Sequence, residues 1–500
     1  MNSNSTVDIV IIGAGPAGLS AALRLQQLGY SVQIIERSAQ WPRPQIGEAL
    51  TPGVRNIIDL LDANDALETV PHLAGMSTKI RWRSSTAEIV NHGDSAIVNR
   101  AAFDAALLQL AQQRGIAVCM PARIQSITGQ ANAWQLHLNT ATGSQSITTR
   151  FILDASGRSH HPQHHQCAPR LSAIWAELAP DQIPSHIAKY TQVEALEHGW
   201  LWGTRLPNQH YRIMLVNDPQ TAHQHMPGQA EQWLRANCAS SELFNAIAHT
   251  PHANRLQACV ATPYLALDSW QDGRLKLGDA AFALDPISSS GVEKAMRFSL
   301  QAVVAVHTQL SKADNNGKAL ARDFYEQRLI ETCARHNYWT QSYYAQAWCH
   351  EQAFWQSRSD YTLDSNDSTN TTHADHPLVQ AIQTQSAQIR NYQEVELKPL
   401  ASFNPHHHLR IHPATSLTET YCVVENQVQK QLALNHPNLD RPIAFLEDQA
   451  LFPHLNFLWQ AQSLSNTLKK LEENMGSERS QKITLWLWQR GLLESVVTGA

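Results

Sequence analysis

The sequence predicts an α/β protein: a dinucleotide-binding domain on a parallel sheet, an inserted β-sheet domain, and a C-terminal, mostly helical module. Three observations predict it. An apolar run, a glycine turn and an amphipathic segment follow one another within residues 7–36, short alternating strands fill 171–263, and a polar break occupies 357–376. With 500 residues, 43% of them hydrophobic, the chain can form two or three domains.

Residues 7–12 (VDIVII) are apolar and β-branched, as a parallel strand buried on both faces requires. Leu19 to Leu28 has helical apolar spacing, Gly29 can end that helix, and residues 31–36 (SVQIIE) read as the next strand, completing a βαβ unit. Residues 100–113 read as a helix, a short strand lies near Val118, and 124–154 is a meander ending in the buried strand FILDA. TQVEA, GWLWGT, YRIMLV and LQACVATP, with a helix near 230–247, make up the inserted sheet. Residues 274–284 return to the first domain and 291–310 form a long helix. The expected limits are 1–170 for the first part of the nucleotide-binding domain, 171–265 for the inserted substrate domain, 266–356 for the return, 357–376 for a linker and 377–500 for the C-terminal module, with helices at 377–395 and 480–497.

A formal net charge of −5 with 16% charged residues gives no basic footprint for nucleic acid. No apolar stretch approaches a spanning helix, and the polar start fits no signal peptide, so a soluble, cytoplasmic protein is expected. Seven dispersed cysteines without CxxC spacing fit reduced thiols. His160, His161, His164 and His165 with Cys167, and the run 406–408 with His412, lie in polar, Pro-containing loops, and no metal is expected there. Tyr338, Trp339, Tyr343, Tyr344, Trp348 and Trp355 recur at near-helical spacing, which fits core packing first and a roof over the site second.

Gly13-Ala14-Gly15-Pro16-Ala17-Gly18 sits between a strand and a helix, with Glu36 ending the second strand and Arg37 beside it. Gly13 permits the turn, Gly15 lets a pyrophosphate approach the backbone, Gly18 permits close helix packing, and Glu36 should accept from ribose hydroxyls. The turn alone does not separate FAD from NAD.

Three later segments do. Arg100-Ala101-Ala102-Phe103-Asp104, Asp154-Ala155-Ser156-Gly157-Arg158 and Gly278-Asp279-Ala280-Ala281 together resemble the flavoprotein monooxygenase and flavin-dependent halogenase superfamily over about residues 7–310. The resemblance implies FAD, an aromatic-hydroxylase type of substrate domain, and Asp279 on the ribityl chain. It also implies that the loop Asp285-Pro286-Ile287-Ser288-Ser289-Ser290-Gly291 runs under the isoalloxazine, with the helix at Gly291 and Val292 aiming its positive end at the ring. Gly47-Glu48-Ala49-Leu50-Thr51-Pro52 resembles the GEAxxP segment that halogenases place beside their flavin. Trp200-Leu201-Trp202 to Pro207 resembles their WxWxIP with two extra residues, although alternation in a strand fits core packing of one tryptophan equally well. Two departures count against halogenation: Ser288 stands where a glutamate is expected, and the expected lysine, counted back from Trp82, falls on Ala74 or Gly75, with Lys79 several residues late.

The segment 288–295 and the C-terminal extension look most like the flavoproteins that mature tryptophylquinone cofactors of amine oxidases and dehydrogenases. That resemblance implies hydroxylation of tryptophan in a peptide or protein partner by a C4a-hydroperoxyflavin formed from dioxygen. The side chains it places nearest the chemistry are Ser288, Ser290, Glu293, Trp200 and Trp202, and Glu293 fits complementing its helix N-terminus as well as acting as base. A small-molecule halogenase or hydroxylase and a non-catalytic flavin-bearing assembly factor remain alternatives. No second dinucleotide fingerprint is present, which leaves NAD(P)H and a flavin reductase both open as electron source.

Overall fold

The computed structural model describes residues 4–40, 46–91, 93, 95–158, 163–312, 314–363, 373–392, 394–399, 406 and 408–496. The chain divides into two compact units, one formed by Met1–Val303 with Tyr325–Gln383 and the other by Val304–Phe324 with Thr384–Ala500.

In the first unit, the strand Asn4–Ile12 lies in the middle of an eight-stranded sheet, parallel to Val32–Ile35 on one side and to Gly143–Asp154 on the other. Ile9, Val10 and Ile11 are fully buried, as a strand covered on both faces demands. Arg274–Lys276 joins the far side of Gly143–Asp154 in parallel, so the chain does return to this sheet after the inserted domain. The helix Pro16–Gln27 starts on a proline at its first turn. It ends with Gly29 at φ +86°, where Gly29 N–H donates to Gln26 O and Tyr30 N–H to Leu25 O; that left-handed cap suits glycine.

The inserted sheet has seven strands in the order Gln257–Val260, Ser172–Leu178, Tyr211–Asn217, Gly199–Arg205, Thr191–Leu196, Thr78–Arg81 and Glu88–Val90. The last two come from before residue 171. Thr78–Arg81 pairs in parallel with Thr191–Leu196 and covers an edge that the strands of 171–265 alone would leave open. One face packs on the helix Ala230–Ser240 through Leu201, Tyr211, Ile213, Leu215, Trp233 and Leu234.

The second unit holds the helices Leu464–Met475 and Ser477–Gln489 around a core of Leu409, Leu458, Leu471, Ile483, Leu487 and Leu493. It also carries a hairpin, Ser416–Val424 with Gln427–Asn435, and a three-stranded sheet that includes Leu493–Val496. The helix expected over 480–497 therefore stops early. Gly491 takes φ +75° and Leu492 N–H turns back to Leu487 O, so the last residues continue as strand. The helix expected over 377–395 spans Pro377–Asn391. Residues 364–372 of the expected linker lie outside the described residues, and its first part belongs to the helix Ala353–Ser359. Among the described residues no helix is long and apolar enough to cross a membrane.

Candidate active site

The glycine turn is built as its spacing requires. A Cβ on Gly13, which has φ +105°, would collide with the carbonyl of Ala155, and one on Gly18 with the carbonyl of Gly13. A Cβ on Gly15 would meet nothing within 4 Å, because Gly15 faces a cavity of about 1000 Å³. That volume is at the upper end for a single small-molecule site, and a dinucleotide needs it. Glu36, 2% exposed, accepts from Ala14 N–H at 2.9 Å and Ser38 N–H at 2.8 Å, which fixes its carboxylate in the cavity wall with acceptor capacity to spare.

Arg100 opens its helix behind the Asn99 cap, pairs with Asp104 at 3.2 Å, and donates to the carbonyls of Ile46 and Gly47, both at 3.2 Å. This pins the 47–52 segment against the cavity. Glu48, 4% exposed, accepts from Gly47 N–H and pairs with Arg212, which also pairs with Glu177. Burial pushes the Arg212 guanidinium down to about 10, which still leaves it charged at neutral pH.

Strand register explains the opposite wall. Trp175 and Trp202 both lie opposite Met214, and Val193 lies opposite Trp202, so one row of the sheet face reads Trp175, Met214, Trp202, Val193. Trp200 lies two residues from Trp202 and therefore on the same face; all five side chains line the cavity. Trp200 donates its indole N–H to Tyr344 Oη at 3.3 Å, and Tyr344 donates to the Asp285 carboxyl at 3.0 Å.

Asp279 is held by Lys294 at 2.9 Å and Arg158 at 3.1 Å. Partial burial raises its pKa, but the two cations outweigh this and leave the carboxyl below the ordinary carboxylate range. At Asp285, 2% exposed, burial wins: it pushes the carboxyl up to about 6 against the pull of Ile287 N–H, Tyr344, Arg358 and Arg158.

Of the residues expected at the site, Gly13, Gly15, Pro16, Ala17, Glu36, Arg37, Gly47, Glu48, Arg100, Trp200, Trp202, Asp279, Pro286, Gly291 and Val292 share this one cavity wall. Gly18, Ser288, Ser290 and Glu293 are not among its lining residues. The Ser288 and Ser290 hydroxyls bond each other at 2.7 Å, and Glu293 is tied to Thr51 and Arg297, so these three shape the loop and the helix start. Neither Lys79, partly buried on Thr78–Arg81, nor Ala74 and Gly75 lines the cavity. Residues that the sequence reading did not single out also meet there, notably Trp175, Arg212, Met214 and Lys294. The signal for the first three was strand alternation; for Lys294 it was a cation one helical turn into the long helix. His160 and His161 lie outside the described residues, and among the described residues no three metal-ligating side chains gather.

The family model described as FAD dependent oxidoreductase matches residues 8–257, half of the chain. A tryptophan 2-halogenase of Chondromyces crocatus is 28% identical over 349 residues, and the match covers 65% of this chain and 65% of that protein's length. The peptidyl tryptophan dihydroxylase QhpG, essential for tryptophylquinone cofactor biogenesis, superposes with TM-score 0.69 at 20% identity over 98% of this chain and 100% of its own. The flavin-dependent halogenase CmlS gives TM-score 0.71 at 19% identity over 99% and 98%. At such identity these two structures establish the shared fold.

Proposed function

The chain belongs to the FAD dependent oxidoreductase family, and from that premise we propose that it is an aromatic monooxygenase hydroxylating tryptophan within a peptide or protein partner, an amine oxidase or dehydrogenase precursor, during tryptophylquinone biogenesis. The observation that carries this reading is the composition of the cavity. Its lining combines a dinucleotide-binding turn with the row Trp175, Met214, Trp202. Two strand spacings, about 10 Å, separate the two tryptophans with Met214 between them, so the row presents a polarisable, apolar surface to a flat ring.

Bound FAD, once reduced by NAD(P)H or a flavin reductase, supplies the activation of dioxygen. The protein's own residues would hold the cofactor: Gly15 with Pro16 and Ala17 at the pyrophosphate, Glu36 at the ribose, Asp279 at the ribityl chain, and Pro286, Gly291 and Val292 beside the ring. Gly47, Glu48 and Arg100 close the same wall, and Trp200 and Trp202 would orient the indole. Apolar packing around that row would keep water from the substrate-facing part of the cavity.

A second reading, halogenation of tryptophan, is favoured by the 28% identity to the tryptophan 2-halogenase and by the intact 47–52 segment. A non-catalytic assembly factor is the third. The three separate in one assay: oxygen uptake by the FAD-loaded protein with a reductant, given a tryptophan-bearing precursor peptide or free tryptophan, with and without bromide. Hydroxylation of a partner predicts uptake stimulated by the peptide and indifferent to bromide. Product that needs halide would establish the second reading, and no uptake with either substrate the third.

A further inference from the structure

Asp285 borders two spaces. It is a lining residue of the large cavity and also of a chamber of about 10 Å³ that His336, Thr340, Tyr344 and Arg358 line with it. That is the room one water needs. Thr340 and Arg358 are 6% and 3% exposed, and Thr340 Oγ1 and Arg358 Nε have no hydrogen-bond partner among the described residues. Buried polar atoms without partners are costly, and a water in the chamber would satisfy both.

Resting on the hydroxylation reading above, we infer that Asp285 is the internal acid–base group of the site, passing protons between the large cavity and a water held in the chamber, with Tyr344 as its positioning residue. In aromatic hydroxylation the ring carbon that gains a C–O bond loses its hydrogen as a proton. Asp285 takes that proton on a carboxylate oxygen and becomes the neutral acid; the chamber water would then receive the proton as it releases one of its own to solvent, which restores the carboxylate, and no electron moves in either transfer.

The neighbours of Asp285 leave it as the group that titrates near neutrality. From the long helix Asn315–Ala345, His336 accepts the Asp285 backbone N–H at 3.0 Å and is pushed down to about 3 by burial and by Lys294, so it stays neutral. Tyr344, from the same helix, is pushed well above its ordinary value by burial and by Asp285 itself. Arg358, from Ala353–Ser359, and Arg158, after the strand Gly143–Asp154, are fixed cations. The carboxyl, displaced to about 6, remains.

The test is infrared difference spectroscopy on the FAD-loaded protein without substrate. A protonated-carboxyl band should titrate near pH 6, vanish in Asp285→Asn, and move to higher pH in Tyr344→Phe, which loses a hydrogen bond to the carboxylate. In heavy water, exchange of that carboxyl proton should slow in Thr340→Val, an isosteric change that removes one partner of the chamber water. No band dependent on Asp285, a midpoint near 4, or exchange indifferent to Thr340 would each overturn the inference. Because no substrate is present, these results stand apart from the reaction. A correct band without hydroxylation removes only the functional reading, and hydroxylation without the band removes only this inference.

Discussion

Asp279 and Asp285 stand six positions apart in the sequence, on either side of the short strand Phe282–Ala283, and desolvation raises both carboxyls, yet they end on opposite sides of the ordinary carboxylate value. At Asp279, Lys294 and Arg158 lie within 3.1 Å and prevail. Among the described residues no cation pairs directly with Asp285, and Ile287 N–H, Tyr344 and the more distant Arg358 and Arg158 do not offset burial. A protein that pushes two neighbouring carboxyls apart has given them different work. On the proposed function, Asp279, kept anionic by its two cations, would anchor the ribityl hydroxyls, and on the further inference Asp285 would exchange a proton.

The most disruptive way to break the contrast is Lys294→Met, which leaves Asp279 with Arg158 alone. A fully buried pair so broken costs 3–5 kcal/mol, and because Asp279 is 33% exposed we expect about 2–3 kcal/mol in a denaturant titration, together with weaker FAD retention on desalting. Next comes Asp285→Asn. Turnover should fall about 100-fold while FAD loading is unchanged.

The same variant carries a pH signature. A carboxyl whose folded value is raised from 3.8 to about 6 holds its proton more tightly when folded, so it costs stability progressively as pH rises from about 4 to 6. Melting curves should therefore show Asp285→Asn gaining on the unaltered protein across that window, by at most about 3 kcal/mol above pH 6. Asp279 has the opposite sign, contributing stability above about pH 4 that is lost in stronger acid. Trp200→Phe, which removes the N–H donated to Tyr344, should cost about 1 kcal/mol and move the acid limb of the pH–rate profile. The smallest effect belongs to Glu293→Gln. Its partner Arg297 is 48% exposed and neither side chain lines the cavity, so stability should change by under about 1 kcal/mol and kcat by less than twofold.

The nucleotide-binding end was legible because its chemistry is local. Gly13, Gly15, Gly18 and Glu36 act at fixed spacing within one βαβ unit, and the apolar run of 7–12 identifies the central strand. The chemical end is assembled over distance. Asp285, Tyr344 and Trp200 are separated by 59 and 144 residues along the chain, and only packing brings them into one hydrogen-bonded line. Alternation placed Trp200 and Trp202 on one face but left open which face looked into a cavity. Glu293 shows the converse: its position near the loop fitted a base or a complement to its helix N-terminus, and only the structure supplies its partners, Thr51 and Arg297.

The proposed function stands or falls with oxygen transfer to a tryptophan in a partner chain. It is tested most directly by the intact mass of a tryptophan-bearing amine oxidase or dehydrogenase precursor co-expressed with this protein or with its Gly15→Asp variant. A side chain at Gly15 meets open space, so the variant should fold, and its carboxylate would repel the pyrophosphate. Oxygen transfer predicts a gain of roughly 16 or 32 mass units with the unaltered protein alone. A precursor whose mass never changes, or changes equally with the variant, would contradict it.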